Sequence, residues 1–244
     1  MKEKIKTGKL LYLENEDYHK LPAISASNIK MMKISKKLYD VKDMLMRKES
    51  PSMDIGTALH EYLLERDKFK LSKYNLTQSQ IEALNCMLNN GRVMFDDVLE
   101  DSEREVSFMA FDEVINMYRK IRCDAYNEKL GIVFDVKTTK ATTPRQFKND
   151  AYNLGYHIQA AFYIDTLKML GYNAKYFTFL VVPNQSPFIP YALNCSQDFL
   201  EHGRAQYSEI IYDYLEYKKS GSPIDFGILD LPDYIKNNLY KGEN

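Results

Sequence analysis

The stretch GIVFDVKTTK, residues 131–140, reads at first as a covered β-strand, because Ile132, Val133 and Phe134 have the β-branched and aromatic character such a strand needs. An acid then interrupts the apolar run. Asp135 is followed by one aliphatic residue and by Lys137, and the two-residue period of a strand aims both charged groups at the same face. A carboxylate and an ammonium at the tip of a hydrophobic strand call for a chemical reason.

The surrounding sequence supplies a fold for this strand. Its 244 residues, 45% of them hydrophobic, suffice to bury a sizeable core, and one domain over 1–244 is expected. Within it, residues 1–50 form a helical N-terminal part, 51–185 a catalytic core, and 186–244 a C-terminal strand and helix. ISASNIKMM begins a helix capped by Ser25 or Ser27 that continues to about Met46. After a break at Pro51 a second helix runs from Met53 to Glu65, with Ile55, Leu59, Tyr62 and Leu63 inward. A third spans Ser79 to Asn89. EVSFMAF and INMYRKIRCDAYN read as strands, the latter turning at Glu128–Leu130 into the opening stretch. A helical region starts at Thr143 and Pro144 and ends near Gly171. KYFTFLVV and PYALNC are strands, and SQDFLEHGRAQYSEIIYDYLEYKKSG is a periodic amphipathic helix. The order predicts an α/β sandwich with a mixed central β-sheet flanked by helices.

Composition narrows the function classes. No stretch approaches the roughly 18 consecutive apolar residues of a membrane span, and MKEKIKTGKL lacks a secretory core, so a cytoplasmic protein without a membrane partner is expected. Cys86, Cys123 and Cys195 are too scattered for a zinc or iron–sulfur site and read as reduced thiols. The net charge of −1 hides an asymmetry: residues 1–50 carry 12 Lys/Arg against 7 Asp/Glu, while acids concentrate in FDDVLEDSERE. The basic part either follows a phosphate backbone or is an ordinary lysine-rich surface.

A hairpin turning at Lys129 and Leu130 sets Asp124 directly opposite Asp135, and Arg122 opposite Lys137. Two ionised carboxylates about 5 Å apart repel by several kcal/mol, so either one acid keeps a proton or a cation sits between them. Hard oxygen ligands beside a lysine suit Mg²⁺ or Mn²⁺. A register shifted by one residue would instead leave two solvated acids and a surface lysine. In GTALHEYLLE, His60 shares a face with Gly56 and Leu64, so its imidazole is directed inward, as a core group or as a ligand. Tyr152, Tyr156, Gln159 and Tyr163 line up at helical spacing and present hydroxyls and an amide, or simply pack.

Taken in order, LPAISASNIKMM, GTALHEYLLE, an Asp before a turn, DVKTT and YHIQAAFY resemble the motif set of the PD-(D/E)XK nuclease superfamily, in its exonuclease VIII (RecE)-type and RecB-like branch. The resemblance covers the chain from about Ile24 to Pro183. It implies a restriction-endonuclease-like core and a Mg²⁺- or Mn²⁺-dependent exonuclease that degrades one strand of linear double-stranded DNA from its ends. The product would be single strand for a recombination annealing protein, in a phage or prophage setting, and relatives of this kind often form rings. His60, Asp124, Asp135 and the carbonyl of Val136 would hold the metal. Lys137 would act on the attacking water and on phosphorane charge, with Gln159 and Tyr163 in support. Glu105 is a candidate for a second metal or for support, and Arg122, Arg145 and Lys148 for DNA contacts. The alternatives are an endonuclease of the same superfamily and a non-catalytic DNA- or partner-binding module.

Overall fold

The computed structural model describes residues 7–10, 13–44, 51–221 and 223; Met46, the expected end of the first helix, and residues 224–244 lie outside them. A six-stranded sheet of order β1-β2-β3-β4-β5-β6 forms the middle layer: β1 Gly8–Leu10, β2 Glu103–Asp112, β3 Met117–Asn127, β4 Ile132–Thr139, β5 Tyr176–Pro183 and β6 Tyr191–Asn194. Every neighbouring pair is antiparallel except β4 and β5, which run parallel across a helical connection. The expected mixed α/β sandwich is what the chain adopts.

On one face pack α2 (Ala26–Ile34), α6 (Pro144–Asn153), α7 (Tyr156–Met169) and α8 (Gln197–Lys219), burying Ile29, Phe147, Phe162 and Ile211 against Phe108, Ile121 and Phe177. On the other, α4 (Pro51–Leu64) and α5 (Gln78–Leu99) bury Leu59, Leu63, Leu84 and Phe95 against Phe134, Leu180 and Val182. β4 and β5 contribute alternate residues to both cores, as strands covered on two sides must. Short α1 (Asn15–Lys20) and α3 (Lys36–Asp40) complete the N-terminal part. The buried Lys120 ammonium donates to the carbonyls of Tyr18, His19 and Leu21, tying the end of α1 to β3.

Several boundaries differ from the sequence expectations, each for a local reason. The first helix stops at Ser35, whose extended backbone (φ −163°) and hydroxyl, accepting from Leu38 N–H, cap α3 instead. Pro51 opens α4 and does not break it, as its fixed φ allows at a first helical position. The third helix reaches Leu99, ten residues past Asn89, because Gly91 is buried against Leu63 and Val182 and does not end it. The turn after β3 occupies Glu128–Gly131, where Gly131 has φ +71° and donates to the Asn127 carbonyl. The helical region after Thr143 is divided at Gly155 (φ +67°), so Tyr152 belongs to α6 and stacks, largely exposed, on His157 and His202, away from the stripe of Tyr156, Gln159 and Tyr163.

α7 and α8 come into close contact at Gly203, where an added Cβ would lie 2.0 Å from the His157 carbonyl oxygen. Gly203→Ala is therefore expected to force these helices apart and to lower stability by about 1–3 kcal/mol or more, read by urea unfolding. An unchanged midpoint would show that the crossing has slack.

Candidate active site

Between β3 and β4 the sheet forks. Their ladder pairs Asn127, Tyr126 and Ala125 with Ile132, Val133 and Phe134, in the register the hairpin argument requires, and then ends. Beyond it β3 stays with β2 and β4 with β5. Asp124 stands at the fork, and its carboxylate accepts the Val136 N–H at 2.7 Å, a bond a neighbouring strand would otherwise have made. The freed edge of β3 is used by Ile24, which donates to the Tyr118 carbonyl and accepts from Lys120 N–H. LPAIS thus serves as an edge segment that leads into α2.

The fork also alters side-chain direction. Ile121 and Cys123 enter the α7-side core, but Ala125 joins the α4 side and Tyr126 returns to the α7 side, so the alternation slips at Asp124. Facing it on β2, Glu105 has φ +51°, a left-handed conformation costly for a residue with a side chain. Both acids consequently meet His60 of α4: Asp124 Oδ2 is 2.9 Å from Nε2 and Glu105 Oε1 is 3.3 Å from Nδ1. One ligand atom from each of the three residues falls within 4.8 Å of the others.

A second group adjoins on β4. Asp135, 2% exposed, is ion-paired with Lys137 and accepts the amide of Gln159 on its other oxygen. The Lys137 ammonium lies 4.9 Å from the centroid of the Tyr156 ring and 5.9 Å from that of Phe179. Burial opposes the charge on Lys137, but Asp135 and Asp124 outweigh it and raise its pKa. Burial pushes Asp135 up to about 6 against the pull of Lys137. Burial and the neighbouring Asp124 push Glu105 up to about 7, against the pull of His60. Burial likewise disfavours charged Asp124, yet His60 and the Val136 N–H hold it ionised, below its ordinary value. For His60, burial is overcome by Asp124, then Glu105 and Asp135, and its pKa stands at about 9.

These residues fit a divalent cation. One imidazole nitrogen and carboxylate oxygens form a mostly hard donor set, and Glu105 Oε1 is buried without a hydrogen bond. Burial raises the pKa values of Glu105 and Asp135, and the His60 proton partly offsets the carboxylates around it; this is charge that a cation would balance. His60 is reached from two clefts, one lined by Gly56, Val136, Thr138 and Asn184, the other by Glu61, Arg104, Glu105 and Asp124.

The sequence-predicted residues are not all placed as expected. His60 and Asp124 come together with Glu105, whereas Asp135 is engaged by Lys137 and Gln159. Gln159 therefore contacts Asp135 and not Lys137. Tyr163 packs its ring on Phe177 and borders the cleft beside Tyr18. Arg122 does not face Lys137, because the β3–β4 ladder has already ended; paired with Ser107, it donates to Ser107 Oγ and to the Leu13 carbonyl and lies over Tyr18. Arg145 and Lys148 are exposed on α6. Sequence reasoning missed Lys30 of α2, whose ammonium lies 5.5 Å from the centroid of the Tyr156 ring. The basic character of SNIK was its only signal. The three cysteines are free thiols, and no described helix is long and apolar enough to cross a membrane.

Residues 25–231 match the family described as a PDDEXK-like domain of unknown function (DUF3799). The chain belongs to this family. Among solved structures, one described as "Putative exonuclease" from Eubacterium rectale superposes with TM-score 0.66 at 17% identity, covering 91% of this chain and 96% of that one, which shows a shared fold. A protein designated SSO0001 aligns over 77% of this chain and 84% of its own, at 15% identity and a TM-score of only 0.35. No protein of curated function matches significantly.

The raised pKa of His60 gives a direct test. Its folded value exceeds the usual 6.5, so stability from its paired, charged form is fully present below pH 6.5 and is lost as pH rises through about 9. In metal-free protein the imidazole proton resonances of His60 are expected to titrate near the latter value, and Asp124→Asn is expected to lower it. Titration of wild-type protein at or below 6.5 would dissolve the proposed pairing. Because Mn²⁺ competes for the same nitrogen, its affinity should also rise with pH, by up to about tenfold per unit.

Proposed function

We propose that this protein is a metal-dependent DNA exonuclease that degrades one strand of linear duplex DNA from its ends. The carrying observation is the joint placement of His60, Glu105 and Asp124 beside Lys137 at the fork of a PDDEXK-like fold. His60, Asp124 and Glu105 would take the cation, Mg²⁺ or Mn²⁺, with Asp135 and the Val136 carbonyl as adjoining oxygen donors on β4. Such an ion supplies Lewis acidity toward the phosphate and a water that ionises near neutral pH.

The chain's own groups divide the remaining work. Lys137 holds its proton through Asp135 and Asp124 and offers it to negative charge that develops on the phosphate. Tyr156 underlies that ammonium, and Gln159 fixes the carboxylate that aims it. Asp135 and Lys137 both sit on β4, which restricts their motion more than a loop would. Arg145 and Lys148, exposed on α6, remain available for phosphates along the duplex. Delivery of the product to an annealing protein, and a ring-shaped oligomer, are supported by the sequence resemblance alone.

Two measurements test this reading. With Mg²⁺, linear duplex is expected to be degraded while closed circular duplex stays intact; cutting of the circle would favour the endonuclease alternative, and no loss of either, with DNA still bound, the binding module. In single-turnover assays, Asp135→Asn should lower Mn²⁺ affinity and cleavage together. Lys137→Ala should keep metal and DNA binding while cleavage falls by orders of magnitude. If the Lys137 variant cleaves normally, the lysine is only a charge at a strand end.

A further inference from the structure

Lys30 is half-buried and projects from α2 toward the ring that carries Lys137. Its aliphatic stem passes Gly155, where an added Cβ would stand 2.9 Å from Lys30 Cδ; the glycine that divides α6 from α7 therefore also opens the path for this side chain. The result is two ammonium groups against one tyrosine ring, at 5.5 and 4.9 Å from its centroid. Lys137 is paired with Asp135. Lys30 has neither an ion pair nor a hydrogen bond among the described residues. Burial first, then the like charge of Lys137, lowers its pKa, with only partial relief from Asp135. A sheltered cation beside another cation, with no anion paired to it among the described residues, costs stability, which an arriving anion would recover.

Resting on the nuclease reading above, we infer that Lys30 is a substrate-binding residue whose ammonium pairs with a phosphodiester oxygen of the DNA strand held at Lys137. The substrate phosphate would then meet two lysines, one from β4 and one from α2, both in contact with the Tyr156 ring. Lys30 thereby gives the N-terminal helix, remote in sequence from the acids, a direct part in recognising the strand to be cut.

The informative variant is Lys30→Met, which retains an unbranched apolar stem and removes the charge. Metal-free Lys30→Met should melt at the same temperature as wild type or higher, since an unpaired charge is lost. Its affinity for a fluorescein-labelled linear duplex should fall, with the log–log salt slope reduced by roughly one. Single-turnover cleavage should fall about tenfold or more at subsaturating enzyme, and Lys30→Arg should restore most of both losses. Lys129→Met, the same charge change in the β3–β4 turn, should leave the slope at the wild-type value. A Lys30→Met protein that binds with the wild-type slope overturns the inference, as does one whose losses accompany a lowered melting temperature. If wild-type protein binds but does not cleave, the nuclease reading fails while the slope still reports on Lys30.

Discussion

The hydrogen bond from the Val136 N–H to Asp124 is the constraint on which the site depends. Where β3 and β4 part, β4 loses a partner on one edge, and a buried N–H left unpaired would cost about 1–3 kcal/mol. Asp124 meets that need with a side chain, so the sheet can open without an orphaned donor. The same bond fixes the carboxylate at the fork, within 2.9 Å of His60. On the other side of the opening, Ile24 completes β3 with backbone bonds, which brings α2 and its Lys30 alongside α7. One replaced ladder bond thus places an acid, admits an imidazole, and docks the N-terminal segment.

The charges around the fork are matched unevenly. Asp124 has His60 and the Val136 N–H; Asp135 has Lys137 and Gln159. Glu105 has the weakest arrangement, with a left-handed backbone worth about 1–2 kcal/mol of strain and, for its buried Oε1, only the His60 imidazole at 3.3 Å without a hydrogen bond. Strain and a weakly met acceptor at the same residue are not what packing selects, but they are compatible with a residue whose partner is a cation. The opposite mismatch occurs at Lys30, a half-buried cation that has no ion pair among the described residues and is opposed by the like charge of Lys137. The two imbalances have opposite sign and flank the Asp135–Lys137 pair, the arrangement a metal ion and a phosphate would each relieve.

The β3–β4 register was legible because a period of two leaves few ways to align IRCDAYN with IVFDVK, and the hairpin reasoning reached the pairing that the strands adopt. What it missed was that pairing stops at Ala125. Arg122 then remains with Ser107, and Asp124 turns toward α4 instead of confronting Asp135 across a continuous sheet. A fork leaves no periodic trace, since each strand continues with its other neighbour. Helix ends failed for a similar reason: Asn90 and Gly91 look like a terminus, whereas burial against Leu63 carries α5 through them. Glu105 was visible as an acid at a strand start and as a supporting candidate through the family resemblance, but its place beside His60 was not, because a left-handed φ at a glutamate has no sequence signature. His60 was readable from its inward helical face, but its two acidic contacts come from strands more than forty residues away.

The distribution of charge also bears on whether such a fold would serve only to bind DNA. A binding surface gains from cations spread along the phosphate path and loses from buried carboxylates close to it. Here Glu105 and Asp124 meet at His60, and Asp135 adjoins them on β4 beside Lys137; each ionised acid would repel a phosphate unless a cation intervened. Holding them there requires a strained residue, a slipped strand alternation and a broken ladder. None of these features improves affinity for a polyanion. They accompany two carboxylates brought to one imidazole, an arrangement that suits a shared cation, and this favours hydrolysis of a phosphodiester over its mere retention.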